Sequence, residues 1–239
     1  MRECRSSSCI RERNRTELRR GRVIMIIAIN GSPRKTWNTA TLLQKALDGA
    51  ASRGAKTKLV HLYDLTYRGC QSCFACKQKG GKHYGTCAVR DDIAPILQAV
   101  READALILGS PIYFGTISGE MKSFLERLLF SVLAYSDPAV SLFPRKIPVG
   151  FIYTMNVTEE QMQTYGVGQH VALNESYLKR IFGYGETLLC FDTLQFDDYS
   201  KVVADRFDPE KKARRRREVF PADCEKAFQM GARFASAGV

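Results

Sequence analysis

Residues 23–30, VIMIIAIN, run straight into GSPRKTWNT (31–39) and then into ATLLQKALDGAA (40–51), and that succession decides the fold. The first run is apolar almost throughout instead of alternating, as in a strand covered on both faces. The third carries Leu42, Leu43, Ala46 and Leu47 at helical spacing. A buried strand passing through a short polar turn into an amphipathic helix opens a βαβ unit. The turn itself is rich in donors: Ser32, Thr36, Asn38 and Thr39 offer hydroxyl or amide groups and Arg34 a charged fork. Beside the N–H groups of a helix start, that set suits a dianionic phosphate. The turn has neither the Gly-Lys-Ser/Thr ending of a Walker loop nor a GxGxxG pattern. The plainer reading is a polar turn with a helix cap.

The alternation continues outward. TKLVHL (57–62) is a second strand, followed by a long loop, 63–90, that holds four cysteines. Asp91 is placed to cap a helix over 92–103, in which Ile93, Ile96, Leu97 and Val100 share a face and Pro95 falls in the first turn. DALILGS (104–110) is the third strand and PIYFGTI (111–117) a turn. Ser118 caps a helix striped by Met121, Phe124, Leu125, Leu128 and Leu129. A loop rich in Pro and Ser, 135–146, leads to a fourth strand, IPVGFIYTM (147–155). Helix is expected around 168–182, a fifth strand at ETLLCFDTL (186–194), and then charged and amphipathic helix split by Pro221. Five parallel strands with helices on both faces describe an α/β, flavodoxin-like, doubly wound sheet. Ligands of such sheets bind beyond the carboxyl ends of the strands, which selects residues 30–38, 110–117 and 154–158.

In the second of these loops Pro111, Ile112, Tyr113 and Phe114 form an apolar, aromatic wall, and Gly115 lets backbone approach closely, so a planar ring could lie there. INGSPRKTWNTATLL (29–43) together with ALILGSPIYFGTISGEMKSFLERL (105–128) resembles the flavodoxin-like NAD(P)H-dependent FMN reductases. The cysteine-rich segment followed by CAVRDDI (87–93) is similar to their iron–sulfur flavoprotein branch. The resemblance runs from about Met25 to Asn156. It implies FMN, its phosphate held by Ser32, Arg34, Asn38 and Thr39 with Thr36 beside them, its ring by Pro111 to Gly115, and a weaker third contact at Thr154 to Asn156. It also implies NAD(P)H as co-substrate, a homodimer or tetramer with flavin near the subunit interface, and electrons leaving to a quinone, another small acceptor or a cluster. The alternative it leaves is an iron–sulfur electron carrier serving ferredoxin-like proteins. The flavin would carry the chemistry, with no side chain acting as nucleophile or base.

Cys70, Cys73 and Cys76 are spaced C-x2-C-x2-C, and Cys87 follows after ten further residues. Three thiolates so spaced can wrap one face of a [4Fe–4S] cubane while a more distant fourth closes it. Free or redox-active thiols and a zinc site stay open beside that reading, with His83 a candidate extra ligand. The interval before Cys87, KQKGGKHYGT, is longer than the branch's pattern leads one to expect. Cys190, in an apolar strand, and Cys224, in a late helix, read as small buried hydrophobes, whereas Cys4 and Cys9 belong to the basic start of the chain.

The net charge of +11 is uneven: residues 1–24 hold eight Arg against three Glu. That basic extension is expected to be disordered, with Met25 a natural alternative start and residues 25–239 forming one FMN-binding domain. EKKARRRRE (210–218) reads as a solvated helix face, and without interleaved aromatics no nucleic-acid partner is expected. No run of eighteen apolar residues occurs, so no membrane partner is expected either, and a cytoplasmic setting would keep the clustered thiols reduced.

Overall fold

The computed structural model describes residues 23–236. The expected basic extension therefore lies outside the described residues except for Val23 and Ile24, and Cys4 and Cys9 lie outside them as well. In chain order the elements are β1 (Met25–Asn30), α1 (Asn38–Ala51), β2 (Lys56–His61), α2 (Ala94–Glu102), β3 (Ala105–Tyr113), β4 (Thr116–Ile117) and α3 (Gly119–Val132). There follow β5 (Ile147–Thr154), α4 (Glu159–Thr164), α5 (Val167–Phe182), β6 (Gly183–Cys190), α6 (Pro209–Glu218) and α7 (Phe220–Ser236). The five long strands lie parallel in the order β2-β1-β3-β5-β6, the flavodoxin-like order, with the first crossing back at β1/β3.

The unalternating apolar strands are explained by two cores. Ile27 and Ile29 of β1 face α2, α3 and α5, while Ile26 and Ala28 face α1 and α7; Leu106 and Leu108 of β3 oppose Ala105 and Ile107 in the same way. On the second face α1 and α7 come together backbone to backbone. A Cβ on Gly49 would stand 1.9 Å from the Phe228 carbonyl oxygen, and one on Gly231 only 1.7 Å from that of Ala46. Glycine at both positions removes the side chain that would hold the helices apart.

Three local features depart from expectation. A sixth strand, β4, pairs antiparallel with the end of β3 because Phe114 (φ 50°) and Gly115 (φ 83°) are both left-handed, the geometry of a tight two-residue hairpin. The α2 helix begins later than expected, at Ala94, with Ile93 before it and no side-chain cap at that position; the Asp91 carboxylate is held by Arg127 and also meets the Ile93 and Ala94 N–H groups. Finally, β6 starts three residues early and stops at Cys190: Gly183 (φ 91°) ends α5 and opens the strand, and Asp192 (φ 47°) turns the chain before 194. Ser118 does cap α3, accepting from the Met121 N–H, and its hydroxyl donates to the Gly31 carbonyl at 2.6 Å. That bond ties the β3 loop to the β1 loop.

Candidate functional site

A pocket of about 150 Å³ opens at the carboxyl ends of β1, β3 and β5. Of the residues expected from sequence, Ser32, Arg34, Asn38, Thr39, Pro111, Ile112, Tyr113 and Thr154 line it; Thr36 is exposed and does not. Thr39 and Thr154, from the first and third loops, share a hydroxyl–hydroxyl bond of 2.7 Å. The Ser32 hydroxyl accepts from the Arg34 N–H at 3.2 Å. At the start of α1 the cap position is Trp37, which supplies no side-chain acceptor, so the first N–H groups of a fourteen-residue helix face the pocket without the usual cap. Open helix N–H groups, hydroxyls and a guanidinium are the donor set that a dianionic phosphate requires.

Phe114 and Gly115 line a second, adjoining trough of about 780 Å³, within the roughly 300–1,000 Å³ usual for cofactor and small-ligand sites. Ile112, Met155, Asn156 and Gln195 are common to both spaces, and Tyr165, Phe196 and Phe207 give the trough its aromatic walls. Phe114 has its ring fully in solvent despite a left-handed backbone. An apolar ring held outward at a strained residue is suited to contact with something beyond the monomer.

The far wall was not anticipated from sequence. Thr193, Leu194 and Gln195 follow β6 and close over the phosphate-suited loop. Trp37 Nε1 and Asn38 Nδ2 donate to the Leu194 carbonyl at 3.0 and 2.8 Å, and Arg34 donates to that of Gln195. Behind them stands α6, expected as a solvated face. Its Lys212 is buried and donates to Asn156 and Asp192; Arg215 pairs with Asp223 at 2.6 Å; and Arg216 Nη1 donates to Asn38 Oδ1 at 2.8 Å. Cys190 is wholly buried, as expected of a small hydrophobe, but its Sγ also contacts Asp223 Oδ2 at 3.1 Å. Cys224 is half-buried.

All four clustered cysteines border one cavity against α3. Among the described residues no three Cys, His, Asp or Glu side chains converge to metal-binding distance; the thiols face a shared space instead. The segment is pinned at both ends of that space: Glu126 accepts from the Cys70 N–H at 3.3 Å, and Lys77 donates to the Phe130 and Leu133 carbonyls at the end of α3. Between them the wholly buried Arg127 donates to Asp91 (2.8 and 3.1 Å), the Arg68 and Val89 carbonyls, and Cys87 Sγ (3.0 Å). Burial pushes the Cys76 thiol above its ordinary range, with the neighbouring Lys77 charge pulling the other way. A guanidinium directed at a sulfur atom is matched to a thiolate, and the donor set thus fits a thiolate-bound cluster. Ser72 and Phe74 (φ 54° and 55°) give the segment two left-handed residues between its first three cysteines. His83 is no part of this cavity's lining; its carbonyl accepts in a local turn. His61 is bonded to Asn30 and His170 to Thr116 and Asn174.

Fold and pocket together define a flavodoxin-like protein with a ligand site at the carboxyl edge of its sheet. Residues 24–154, more than half of the chain, match the family described as NADPH-dependent FMN reductase, and the chain belongs to that family. Among curated proteins it is 39% identical over 102 residues to an iron–sulfur flavoprotein of Methanocaldococcus jannaschii, covering 43% of this chain and 50% of that protein. It is 31% identical over 102 residues to the iron–sulfur flavoprotein of Methanosarcina thermophila, covering 43% and 51%. The chain thus spans about half the length of the curated relatives it matches. Among solved structures the fold is shared with an NAD(P)H:quinone oxidoreductase from Methanothermobacter marburgensis at a TM-score of 0.64 and 12% identity, over 88% of this chain and 98% of that one. It is shared also with an FMN-dependent NADH-azoreductase from Bacillus anthracis in complex with FMN, at 0.61 and 13%, over 89% and 100%.

Proposed function

We propose that this chain is an FMN-dependent NAD(P)H oxidoreductase that passes electrons to a quinone or another small acceptor. The observation that carries the reading is the convergence of eight residues, from loops far apart in sequence, on one pocket with an uncapped helix start at one end and an aromatic trough at the other. Bound FMN would supply the hydride chemistry. The chain's own residues divide the remaining work. Ser32, Arg34, Asn38, Thr39 and the first N–H groups of α1 bind the phosphate, with Thr154 bracing Thr39. Pro111, Ile112 and Tyr113 set the plane of the ring. Phe114, Gly115, Tyr165, Phe196 and Phe207 keep water from the side where nicotinamide and acceptor bind in turn, and a second copy of the chain covers Phe114. Among the described residues no helix is long and apolar enough to cross a membrane, and reduced cytoplasmic thiols accord with the cysteine segment.

The test is anaerobic titration of the FMN-loaded protein with NADPH and NADH, followed by a quinone, reading the flavin absorption. The expected result is bleaching by one nicotinamide and recovery on adding the quinone. Flavin that neither nicotinamide reduces would refute the reductase.

The cysteine cavity favours a second reading: Cys70, Cys73, Cys76 and Cys87 hold a [4Fe–4S] cluster, and the protein relays single electrons, including to ferredoxin-like partners. What supports it is the buried Arg127 charge at Cys87. The cavity lies beside Glu126 to Ser131, about 12–20 Å along α3, at 1.5 Å per residue, from the buried Ser118 whose hydroxyl holds the Gly31 carbonyl of the first loop. Iron and acid-labile sulfide should reach about four each per chain in anaerobically purified protein by this cluster's composition, and Cys73→Ser should lose them while keeping flavin. Iron retained in full by that variant would refute the ligand assignment.

A further inference from the structure

The hairpin that carries the aromatic wall is weakly supported by its own residues. β4 is two residues long, pairs only with the end of β3, and is reached through a left-handed Phe114 whose ring stands in solvent. So short a ladder is marginal in water, and a left-handed residue other than glycine persists only where its surroundings hold it. Of residues 112–117 only Ile117 is buried. Outside support comes from His170, half-buried on α5. Its Nε2 lies 3.0 Å from Thr116 Oγ1, 3.4 Å from the Ile117 nitrogen and 3.0 Å from Asn174 Nδ2. A backbone N–H and an amide NH2 group can only donate, so Nε2 is an acceptor and the imidazole is neutral. Asn174 Nδ2 also donates to the Tyr153 hydroxyl on β5 at 3.3 Å, which fixes its direction. Strand register carries the effect to the site. Thr116 pairs with Tyr113 and Ile117 with Ile112; those two partners line the first pocket, while Phe114 and Gly115 between them line the trough.

Resting on the reading that this pocket takes FMN, we infer that His170 is a positioning residue: as a neutral acceptor it clamps β4 to α5 and so fixes the wall, Ile112 to Gly115, on which the flavin ring lies, and its protonation loosens that wall. The groups around it favour the neutral form. Burial lowers its affinity for a proton, and the Lys122 charge, facing it from α3, lowers it further. From β5 comes the Tyr153 phenol, reached through Asn174, and from the hairpin only Thr116 and the Ile117 N–H. Glu175 on α5 is occupied by Lys179 and Thr187. A proton on Nε2 would set a donor against two donors, and the clamp opens.

The test follows FMN binding to the flavin-stripped full chain by quenching of flavin fluorescence at pH 7.5 and pH 5, with visible circular dichroism of the bound flavin reporting the surroundings of the ring. At pH 7.5 His170→Leu should weaken FMN about 3- to 10-fold, the range for losing one or two neutral hydrogen bonds, and change the visible dichroism. His170→Gln has an amide oxygen that can accept where Nε2 does and does not titrate, and it should bind within about twofold of wild type at pH 7.5. Acid protonates the FMN phosphate equally for both chains, so comparing them isolates the histidine: from pH 7.5 to 5 wild type should lose about threefold more affinity than the glutamine variant. Gln169→Ala, exposed next to it on α5, should follow wild type throughout. A glutamine variant as weak as the leucine one, a leucine variant that binds like wild type, or wild type and glutamine variant weakening in parallel in acid would each overturn the inference. If the leucine variant does not fold, the acid comparison of wild type with the glutamine variant decides alone. A wild-type chain that binds no FMN at pH 7.5 would instead sink the reading of the pocket itself, before any substitution is made.

Discussion

Arg127→Met removes the guanidinium but keeps most of the volume, and what it leaves behind sets the cost. Asp91 loses both of its bonds at 2.8 and 3.1 Å, and the Arg68 and Val89 carbonyls lose their donor, all at a side chain only 1% exposed. Breaking one side of a buried ion pair costs about 3–5 kcal/mol, and at about 2–4 °C per kcal/mol for a domain of this size the melting temperature should fall by about 6–20 °C. The pH dependence adds a second readout. Hydrogen bonding from Arg127 holds the Asp91 carboxyl below its ordinary range, and a depressed carboxylate stabilises the fold fully above its unfolded pKa, near 3.9, and progressively less as the pH falls below it. The gap between wild type and variant should therefore be full at pH 7 and narrow through pH 4 and below. Urea unfolding at a series of pH values measures both. A variant within about 1 kcal/mol of wild type at pH 7, against the cost expected of a buried pair, or a gap that widens in acid, would refute the account of Arg127 as the charge that organises this loop.

Gly231→Ala should destabilise by about 3 kcal/mol or more, the upper end for overpacking, because its Cβ meets backbone and cannot be absorbed by a rotamer; a thermal melt within about a degree of wild type would contradict that. His170 accepts from Asn174 at 3.0 Å through Nε2, and burial together with the Lys122 charge lowers its pKa, so stability should decline as the pH falls below about 6.5 while the unfolded chain takes up a proton the folded chain refuses. His170→Gln should remove that part of the slope, and unchanged profiles would exclude the histidine as its source. With Ellman's reagent at pH 8, Cys73 should react first among the six described cysteines and Cys190 only on unfolding, since one is exposed and burial pushes the other thiol far above its ordinary value. Equal rates would contradict the burial.

The parts of the site that could be read in the sequence are those built by neighbours along the chain. Residues 31–39 and 110–117 each place strand end, turn and helix start within about ten residues, so local pattern suffices. Residues 193–195 were hidden because the apolar Leu188, Leu189, Cys190 and Phe191 look like a strand that continues to 194, and only the left-handed turn at Asp192 ends it. The inward cations of α6 had one faint signal: Lys212, Arg215 and Arg216 fall at i, i+3 and i+4. Lys211 and Arg214 form as good a pair one step away, and nothing local says which face turns toward Asn156, Asp192 and Asn38. Arg127 shares a face with Phe124 and Ser131, but a buried arginine is legible only once its partner Asp91 is known to lie opposite. Asp91 is legible as a helix-start carboxylate, but its pairing with Arg127 is not.

The crossing of α1 and α7 also orders events in time. On one side of the sheet Leu42, Leu43, Ala46 and Leu47 of α1 share a core with strand residues and with Phe220, Ala227, Met230 and Phe234 of α7, which arrive last. At about 5–20 residues per second, α1 leaves the ribosome roughly 10–30 s before α7 does. During that interval the part of the α1 surface that α7 covers is without its partner. The close α1–α7 crossing at Gly49 and Gly231 therefore forms late, after the strands it covers have been made.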